Sequence, residues 1–225
     1  MILWGTVLIL AVVFGPHLWA KRVLGRYDSV EYFSGNGMTL ARLLLDRLGL
    51  GAVRVEAAAG GDHYDPALKV VRLSPQRCSR RSLTAVVVAA HEVGHALQDN
   101  LHYPPLAVRN RMVAAAARME RFGAAIILVM PLVAALTRIP AAGLLLAAAG
   151  FATLCLPVAV HLLTLPTEFD ASFNRALPML TAGGYIPPED IPAARKILLA
   201  CALTYVATAL MSLLNVWRWI RILKR

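Results

Sequence analysis

Two histidines and a glutamate lie close together in the stretch "AAHEVGHALQDN", where His91 and His95 are four residues apart and Glu92 follows the first histidine. Residues four apart in an α-helix lie on one face, about 6 Å apart along the axis at about 1.5 Å per residue. Two imidazoles in this arrangement can bind one tetrahedral zinc ion through nitrogens at about 2.0–2.1 Å. The spacing therefore predicts a metal site on a helix.

Glu92 is turned by about 100° from His91 around the helix, so it is poorly placed to bind the same ion but can reach a water molecule on it. Zinc lowers the pKa of a bound water from about 15.7 towards about 7, so a nearby carboxylate can accept its proton. We interpret Glu92 as the general base for a zinc-activated water. Gly94 costs about 1 kcal/mol relative to alanine inside a helix, so we expect another backbone to pack closely against it.

A zinc site that catalyses hydrolysis needs a third protein ligand and an open fourth position. The chain lacks the continuation H-E-x-x-H-x-x-G-x-x-H, which argues against a three-histidine site. The candidates for the third ligand are Glu56, His63, His102, His161, Glu168 and Asp170. The strongest are the carboxylates of "LPTEFDASFNRAL". Because Glu168 and Asp170 are two residues apart, only one of them can face the metal from a helix.

The elements that position these residues follow from local patterns. "SGNGMTLARLLLDRLGLG" predicts a helix with Thr39 as its N-cap, and "AVRVEAAAGGDHYDPALKVVRLSP" predicts two short strands that flank the turn "GGDHYDP". A long helix follows Ser79 or Ser82 and contains both histidines. Its apolar part, residues 83–97, is about five residues too short to span a bilayer, so we expect it to be buried in this unit.

The composition points to a membrane, since 58% of the residues are hydrophobic and 16% are charged, against about 25% charged in typical soluble domains. We predict a mainly α membrane protein with about four transmembrane helices and a small α+β zincin-like catalytic unit with a short β-hairpin or edge strand. The predicted segments are a transmembrane anchor at 2–20, the catalytic unit at 21–121, a transmembrane hairpin at 122–165, a segment with the third zinc ligand at 166–196, a transmembrane helix at 197–220 and a basic tail at 221–225.

The formal net charge is +10, and the basic residues cluster beside apolar runs. We therefore expect the lipid bilayer, with anionic headgroups, as a partner, and no nucleic acid, for which no recognition motif is present. The positive-inside rule places the catalytic unit on the cytoplasmic side of the inner (plasma) membrane, although the basic tail argues the other way. The three cysteines are odd in number and form no C-x-x-C pair, so the sequence suggests neither a disulfide framework nor a thiolate zinc site.

The segments "YDP", "VVRLSP", "AAHEVGHALQ" and "LPTEFDASFNRAL" together resemble the bacterial family of membrane-bound neutral zinc metallopeptidases, over most of the chain. They are more distantly similar to the gluzincin membrane proteases of the heat-shock and CAAX-prenyl type. In those proteins a later E-x-x-x-D helix supplies a zinc-binding Glu and an Asp that supports a ligand histidine. The resemblance implies Glu168 as the third ligand and puts Ser172 at the Asp position. Asp170 or Ser172 is then expected to orient a histidine.

The same resemblance implies that the strand at residues 69–73 is an edge strand that pairs with an extended substrate. Its candidate residues are Val70, Val71 and Arg72. Tyr64 and His63, in "GDHYDP", are candidates for donating a hydrogen bond to the oxyanion of the reaction.

We therefore predict an integral membrane zinc endopeptidase with one catalytic Zn²⁺, acting on peptides or proteins that include membrane proteins. One alternative is a site-2-type intramembrane protease, which the short helix and its polar flanks disfavour. Another is a non-catalytic scaffold or holdase stabilised by zinc, which would need four protein ligands, whereas the sequence has no clear fourth. The physiological substrate and the oligomeric state do not follow from the sequence.

Overall fold

The computed structural model describes residues 2–31, 33–137, 145, 148–149, 160 and 163–213. The helices are α1 (Ile2–Arg26), α2 (Gly37–Arg47), α3 (Pro75–Ser79), α4 (Leu83–Asn100), α5 (Pro104–Thr137), α6 (163–169), α7 (Leu177–Ala182) and α8 (Ile191–Leu213). A π-helix (Asp170–Ala176) lies between α6 and α7, and a 3₁₀-helix (Pro188–Asp190) precedes α8. The strands are β1 (Arg54–Ala57), β2 (His63–Asp65) and β3 (Val70–Leu73).

The chain divides into two compact units. The helical unit takes in the described parts of 1–14, 108–164 and 205–225. The sheet-containing unit is built from Gly15–Ala107 and Leu165–Thr204 and holds the histidine motif, Glu168 and all three strands. Two segments that are distant along the chain therefore form the unit that matters for the chemistry.

The three-stranded sheet has the order β1-β3-β2, with β3 parallel to β1 and antiparallel to β2. The prediction that β3 is an edge strand is therefore wrong, because β3 is the central strand and its main chain pairs on both sides. The predicted turn "GGDHYDP" contains β2. A strand of three residues is too short to show an alternating pattern, which explains why the sequence did not reveal it.

Helices α2 and α4 pack against each other and against strands of the sheet. The side chain of Asn36 caps α2 by accepting from Thr39 N at 2.8 Å, so the cap is Asn36 and not Thr39 as predicted. Ser82 caps α4, and its side chain accepts from Ala85 N. Almost every residue of α4 is buried, which confirms the prediction of a buried helix in this unit.

Among the described residues, no helix is long and apolar enough to cross a membrane. The prediction of about four transmembrane helices is therefore wrong for this part of the chain. The predicted transmembrane helix at 197–220 shows one physical reason for this error. Its residues Ile197, Leu198 and Ala200 in α8 are 0% exposed and lie within the sheet-containing unit. Hydropathy does not distinguish a lipid environment from a protein interior. Most of residues 138–162 of the predicted hairpin, and residues 214–225, lie outside the described residues.

Candidate metal centre

The imidazoles of His91 and His95 meet the carboxylate of Glu168 inside the sheet-containing unit. The Nε2 atom of each histidine lies 3.3 Å from Glu168 Oε2, and the two ring centroids are 4.8 Å apart. All three side chains are buried, and Glu168 is 0% exposed. The structure thus brings together three candidate ligands from α4 and α6, with one atom of each within 4.8 Å of the others.

These distances fit a zinc ion. Two ligand atoms held about 2.0–2.1 Å from one tetrahedral metal are about 3.4 Å apart. The two observed nitrogen–oxygen distances are both 3.3 Å. Some catalytic zinc sites have this same set of ligand atoms, two imidazole nitrogens and one carboxylate oxygen, and leave the fourth position open.

Gly94 allows α4 to approach the π-helix closely. A Cβ atom at this position would lie 2.7 Å from the carbonyl oxygen of Ala171, which is too close for a side chain. The expectation that another backbone packs against Gly94 is confirmed. Because Ala171 lies three residues after Glu168, this contact also sets the distance between the carboxylate and the histidines.

The π-helix begins two residues after Glu168, and Leu177 N bonds to Ser172 O in the i to i+5 pattern of this helix type. Glu168 contacts the two histidines, while Asp170 contacts Gln98. The two carboxylates thus contact different residues of α4, the two histidines in one case and Gln98 in the other. π-Helical turns occur frequently at functional sites, and here the turn carries both Asp170 and Ser172.

Ser172 fixes the ring of His91. Its Oγ atom lies 3.1 Å from His91 Nδ1 and 3.2 Å from the carbonyl oxygen of Leu198. A carbonyl oxygen can only accept, so the Ser172 hydroxyl donates to Leu198 and accepts from the Nδ1–H group of His91. The lone pair of His91 is then on Nε2, the nitrogen that faces Glu168.

Gln98 contacts the ring of His95 and was missed by the sequence reasoning. Its Oε1 atom lies 2.9 Å from His95 Nδ1, and its Nε2 atom lies 2.9 Å from Thr167 O and 2.8 Å from Asp170 Oδ2. The available signal was its position three residues after His95, since residues at this spacing are neighbours on a helix surface.

Asp170 lies among hydrogen-bond donors. Burial alone would raise the pKa of its carboxyl group, but hydrogen bonds from Gln98, Asn174 and Arg175, together with the charge of Arg175, bring that pKa below its usual value. Asp170 is therefore an ionised acceptor that supports Gln98, at the place where the resemblance led us to expect a residue that orients a histidine.

Glu92 and the Cys201 thiol are two further ionisable groups of the sheet-containing unit. Glu92 is 6% exposed and follows His91 on α4. Burial raises the pKa of the Cys201 thiol to about 12, an effect opposed by the charge of Arg77 and reinforced by the charges of Glu92 and Glu168. The thiol therefore stays protonated at neutral pH and is a poor metal ligand or nucleophile.

The two oxyanion candidates lie on opposite faces of the sheet. Tyr64 pairs with Val71 and packs against the core, and its hydroxyl donates to Asp99 Oδ2 at 2.6 Å. Burial, this hydrogen bond and the negative charge of Asp99 raise the pKa of Tyr64. The next side chain along a strand points to the other face, so His63 turns away. Its ring nitrogens contact Gly61 O at 3.2 Å and Arg72 Nη1 at 3.4 Å.

The substrate-strand candidates are all in the central strand. Val70 and Val71 are fully buried, and Arg72 forms ion pairs with Asp65 at 2.9 Å and Glu56 at 3.8 Å. In the described residues β2 lies at an edge of the sheet and β3 does not. β1 is the other edge strand, and β2 is the edge strand that Tyr64 connects to α4 through Asp99.

Comparisons with known proteins extend along nearly the whole chain. A family model described as "Putative neutral zinc metallopeptidase" matches residues 2–224. The chain is 37% identical over 220 residues to the "Putative membrane protease YugP" of Bacillus subtilis (strain 168), which covers 96% of this chain and 94% of that protein. No solved structure matches. The family match includes every residue of the His91, His95 and Glu168 cluster.

Proposed function

The chain belongs to this neutral zinc metallopeptidase family, and we propose that it is an endopeptidase that hydrolyses peptide bonds with one zinc ion. The observation that supports this most directly is the pair of 3.3 Å distances from His91 Nε2 and His95 Nε2 to the same oxygen of Glu168. In this proposal the three residues hold the ion and Glu92 is the catalytic base.

A zinc ion held by His91, His95 and Glu168 would polarise the carbonyl oxygen of the substrate and lower the pKa of the attacking water. Glu92 accepts a proton from the water molecule while the oxygen of that water attacks the carbonyl carbon of the peptide. It then delivers this proton to the amine nitrogen as the carbon–nitrogen bond breaks, so that one water is consumed for each bond. The 6% exposure of Glu92 keeps bulk water away from this proton transfer and strengthens local electrostatic interactions.

Two substitutions test the assigned roles. Glu92→Gln removes the base but no ligand, so we expect full zinc content and a loss of casein cleavage of at least about 100-fold. Glu168→Ala removes a ligand, so we expect a weaker affinity for zinc. The measurements are metal content after dialysis and the initial rate of cleavage.

Glu189→Gln and Glu189→Ala are matched controls, because Glu189 is exposed on the 3₁₀-helix before α8. Full activity in Glu92→Gln would exclude the proposed mechanism. Unchanged zinc affinity in Glu168→Ala would show that another residue is the third ligand. Zinc binding without cleavage of any peptide by the wild type would favour the scaffold alternative.

For the location, we extend to this chain the word "membrane" in the name of its relative. The net charge of +10 supports attraction to the anionic cytoplasmic leaflet, at about 1 kcal/mol for each basic residue near the surface. Peptides and proteins at the inner membrane are then the proposed substrates. Cell fractionation tests this location, and recovery of the protein only in the soluble fraction at low salt would contradict it.

A further inference from the structure

The side-chain amide of Gln98 has a fixed orientation. Gln98 is 0% exposed, and its Nε2 atom lies 2.9 Å from Thr167 O and 2.8 Å from Asp170 Oδ2. A main-chain carbonyl oxygen can only accept a hydrogen bond, so the two N–H groups of the amide must point to these two oxygens. The oxygen of the amide, Oε1, is then the atom that faces His95 Nδ1 at 2.9 Å.

The carboxylate of Asp170 also accepts hydrogen bonds from two donors other than Gln98. Arg175 Nε lies 3.1 Å from Oδ2, and Asn174 Nδ2 lies 3.0 Å from Oδ1. A guanidinium group can only donate. If the Gln98 amide were reversed, its oxygen would face the oxygens of Asp170 and Thr167 with no proton between them. The donors around Asp170 therefore exclude the reversed amide.

We propose that Gln98 is a positioning residue that holds His95 in the tautomer with its proton on Nδ1, and that Asp170 acts on His95 through Gln98. A neutral imidazole has one N–H group and one acceptor nitrogen, so a proton on Nδ1 leaves the lone pair of His95 on Nε2. That atom lies 3.3 Å from Glu168 Oε2. Asp170 is then neither a ligand nor an oxyanion donor.

The two histidines have separate positioning groups. His91 is held by Ser172, which donates to the main chain of Leu198, and His95 is held by Gln98, which donates to Thr167 and Asp170. Neither group of hydrogen bonds includes a residue of the other. Loss of one group should therefore affect one ring and leave the other ring in place.

The first test uses the wild-type full chain, loaded with zinc and labelled with ¹⁵N at histidine. Long-range ¹H–¹⁵N spectra report which ring nitrogen carries the proton and which binds the metal. We expect His95 to bind through Nε2 and to keep an Nδ1 proton that exchanges slowly with water. Binding through Nδ1, or exchange as fast as in a free imidazole, would overturn the inference. The inference rests on the proposed zinc site, but this readout does not depend on peptide hydrolysis.

The second test compares variants. Gln98→Met keeps the length of the side chain and removes its hydrogen bonds, so the His95 Nδ1 proton should exchange rapidly and the Kd for zinc should rise about 10–100-fold. The slowly exchanging Nδ1 proton of His91 should remain. Ser172→Ala should give the reverse pattern for the two rings.

The matched control is Gln76→Met, because Gln76 is exposed on α3. If Gln98→Met and Gln76→Met have the same His95 exchange rate and zinc Kd, Gln98 does not position the ring. If Gln98→Met fails to fold, the wild-type spectrum still decides which nitrogen of His95 carries the proton. A wild-type spectrum as expected, together with full activity in Glu92→Gln, would retain this inference and remove the proposed hydrolytic mechanism.

Discussion

The hydroxyl of Ser172 supports a metal-ligand candidate without adding a charge. It accepts from His91 Nδ1 at 3.1 Å and donates to Leu198 O at 3.2 Å, so a main-chain carbonyl of α8 is the final acceptor. The gluzincins that this chain resembles have an aspartate at the matching position. Here the carboxylate of Glu168 contacts the Nε2 atoms of both histidines.

We expect Ser172→Ala to weaken zinc binding by about 10-fold or more, because ligand histidines depend on their second hydrogen bond. The substitution also leaves a buried Nδ1–H group without its acceptor, at a cost of about 1–3 kcal/mol. Competition with a chromophoric chelator measures the affinity. Ser79→Ala, at an exposed serine of α3, is the control. Equal zinc Kd values for both variants would rule out the role of Ser172.

At the scale of single residues, the sequence predicts a role for residues whose partners are close to them along the chain. The spacing of His91 and His95 indicates a metal site, and the resemblance to gluzincins implied the carboxylate that the structure places beside them. Gln98 could not be found in this way, because its partners Thr167 and Asp170 lie 69 and 72 residues further along the chain. His63 was grouped with Tyr64 by adjacency, and the alternation of side chains along β2 separates them.

The crossing of α4 with the π-helix is the contact between elements that determines the geometry of the site. Gly94 and the carbonyl group of Ala171 lie at this crossing, and Glu168 is one turn away from it. The sequence predicts close packing at Gly94 from the cost of glycine in a helix. It does not predict the π-helix, whose form depends on fitting Asp170 and Ser172 to different partners on α4 and α8.

We expect Gly94→Ala to lower both the melting temperature and the zinc affinity, because its Cβ atom would lie 2.7 Å from Ala171 O and would separate the two helices. Helix propensity alone would favour alanine by about 1 kcal/mol, so the sign of the change tests the packing. Thermal unfolding with and without zinc is the measurement. Gly25→Ala is the matched control, since Gly25 lies in α1 with nothing within 4 Å of a Cβ atom. Equal stability of both variants would contradict the expectation.

Strand β2 is joined to α4 by the Tyr64 hydroxyl, which shares Asp99 with Lys69 Nζ at 2.5 Å. If β2 is the strand beside which the peptide binds, this connection sets the distance between the substrate and the histidines. The position of β2 at an edge could not be predicted, because the sequence does not show on which side of β3 each strand pairs.

We expect Tyr64→Phe to raise KM by about 2–10-fold with little change in kcat, since one hydrogen bond contributes about 0.5–1.5 kcal/mol. Steady-state cleavage of a peptide measures both constants. A large fall in kcat at constant KM would instead favour the role in oxyanion binding suggested by the sequence. Tyr185→Phe is the control, because the Tyr185 hydroxyl is buried without a hydrogen-bond partner among the described residues.

At the scale of the whole molecule, the sheet-containing unit depends on two segments, Gly15–Ala107 and Leu165–Thr204. Its core includes Ile197 and Leu198 of α8, which belong to an apolar run that the sequence assigned to a bilayer. Composition and run length predict that these residues avoid water. They do not predict which surface covers them, because that depends on contacts between distant segments, such as the hydrogen bond from Ser172 of the π-helix to Leu198 O.

Removal of zinc should lower the stability of this unit, because the ion would connect α4 with α6. A ligand at about 100 times its Kd adds about 2.7 kcal/mol. For a chain of this size each kcal/mol corresponds to about 2–4 °C in Tm, so we expect a chelator to lower Tm by about 5–10 °C. Calorimetry with excess zinc and with a chelator measures the difference. Glu168→Ala should show a much smaller difference, and an equal Tm in both conditions for the wild type would contradict the proposed metal site.

The separation of His95 and Glu168 by 73 residues also has a consequence during synthesis on the ribosome. At about 5–20 residues per second, this interval takes about 4–15 s. During this time the nascent chain has both histidines and Glu92 but not the carboxylate of Glu168. Under the proposed function, the chain would therefore stay inactive until most of it has been translated. Fragments released by premature termination before residue 168 would lack the complete site.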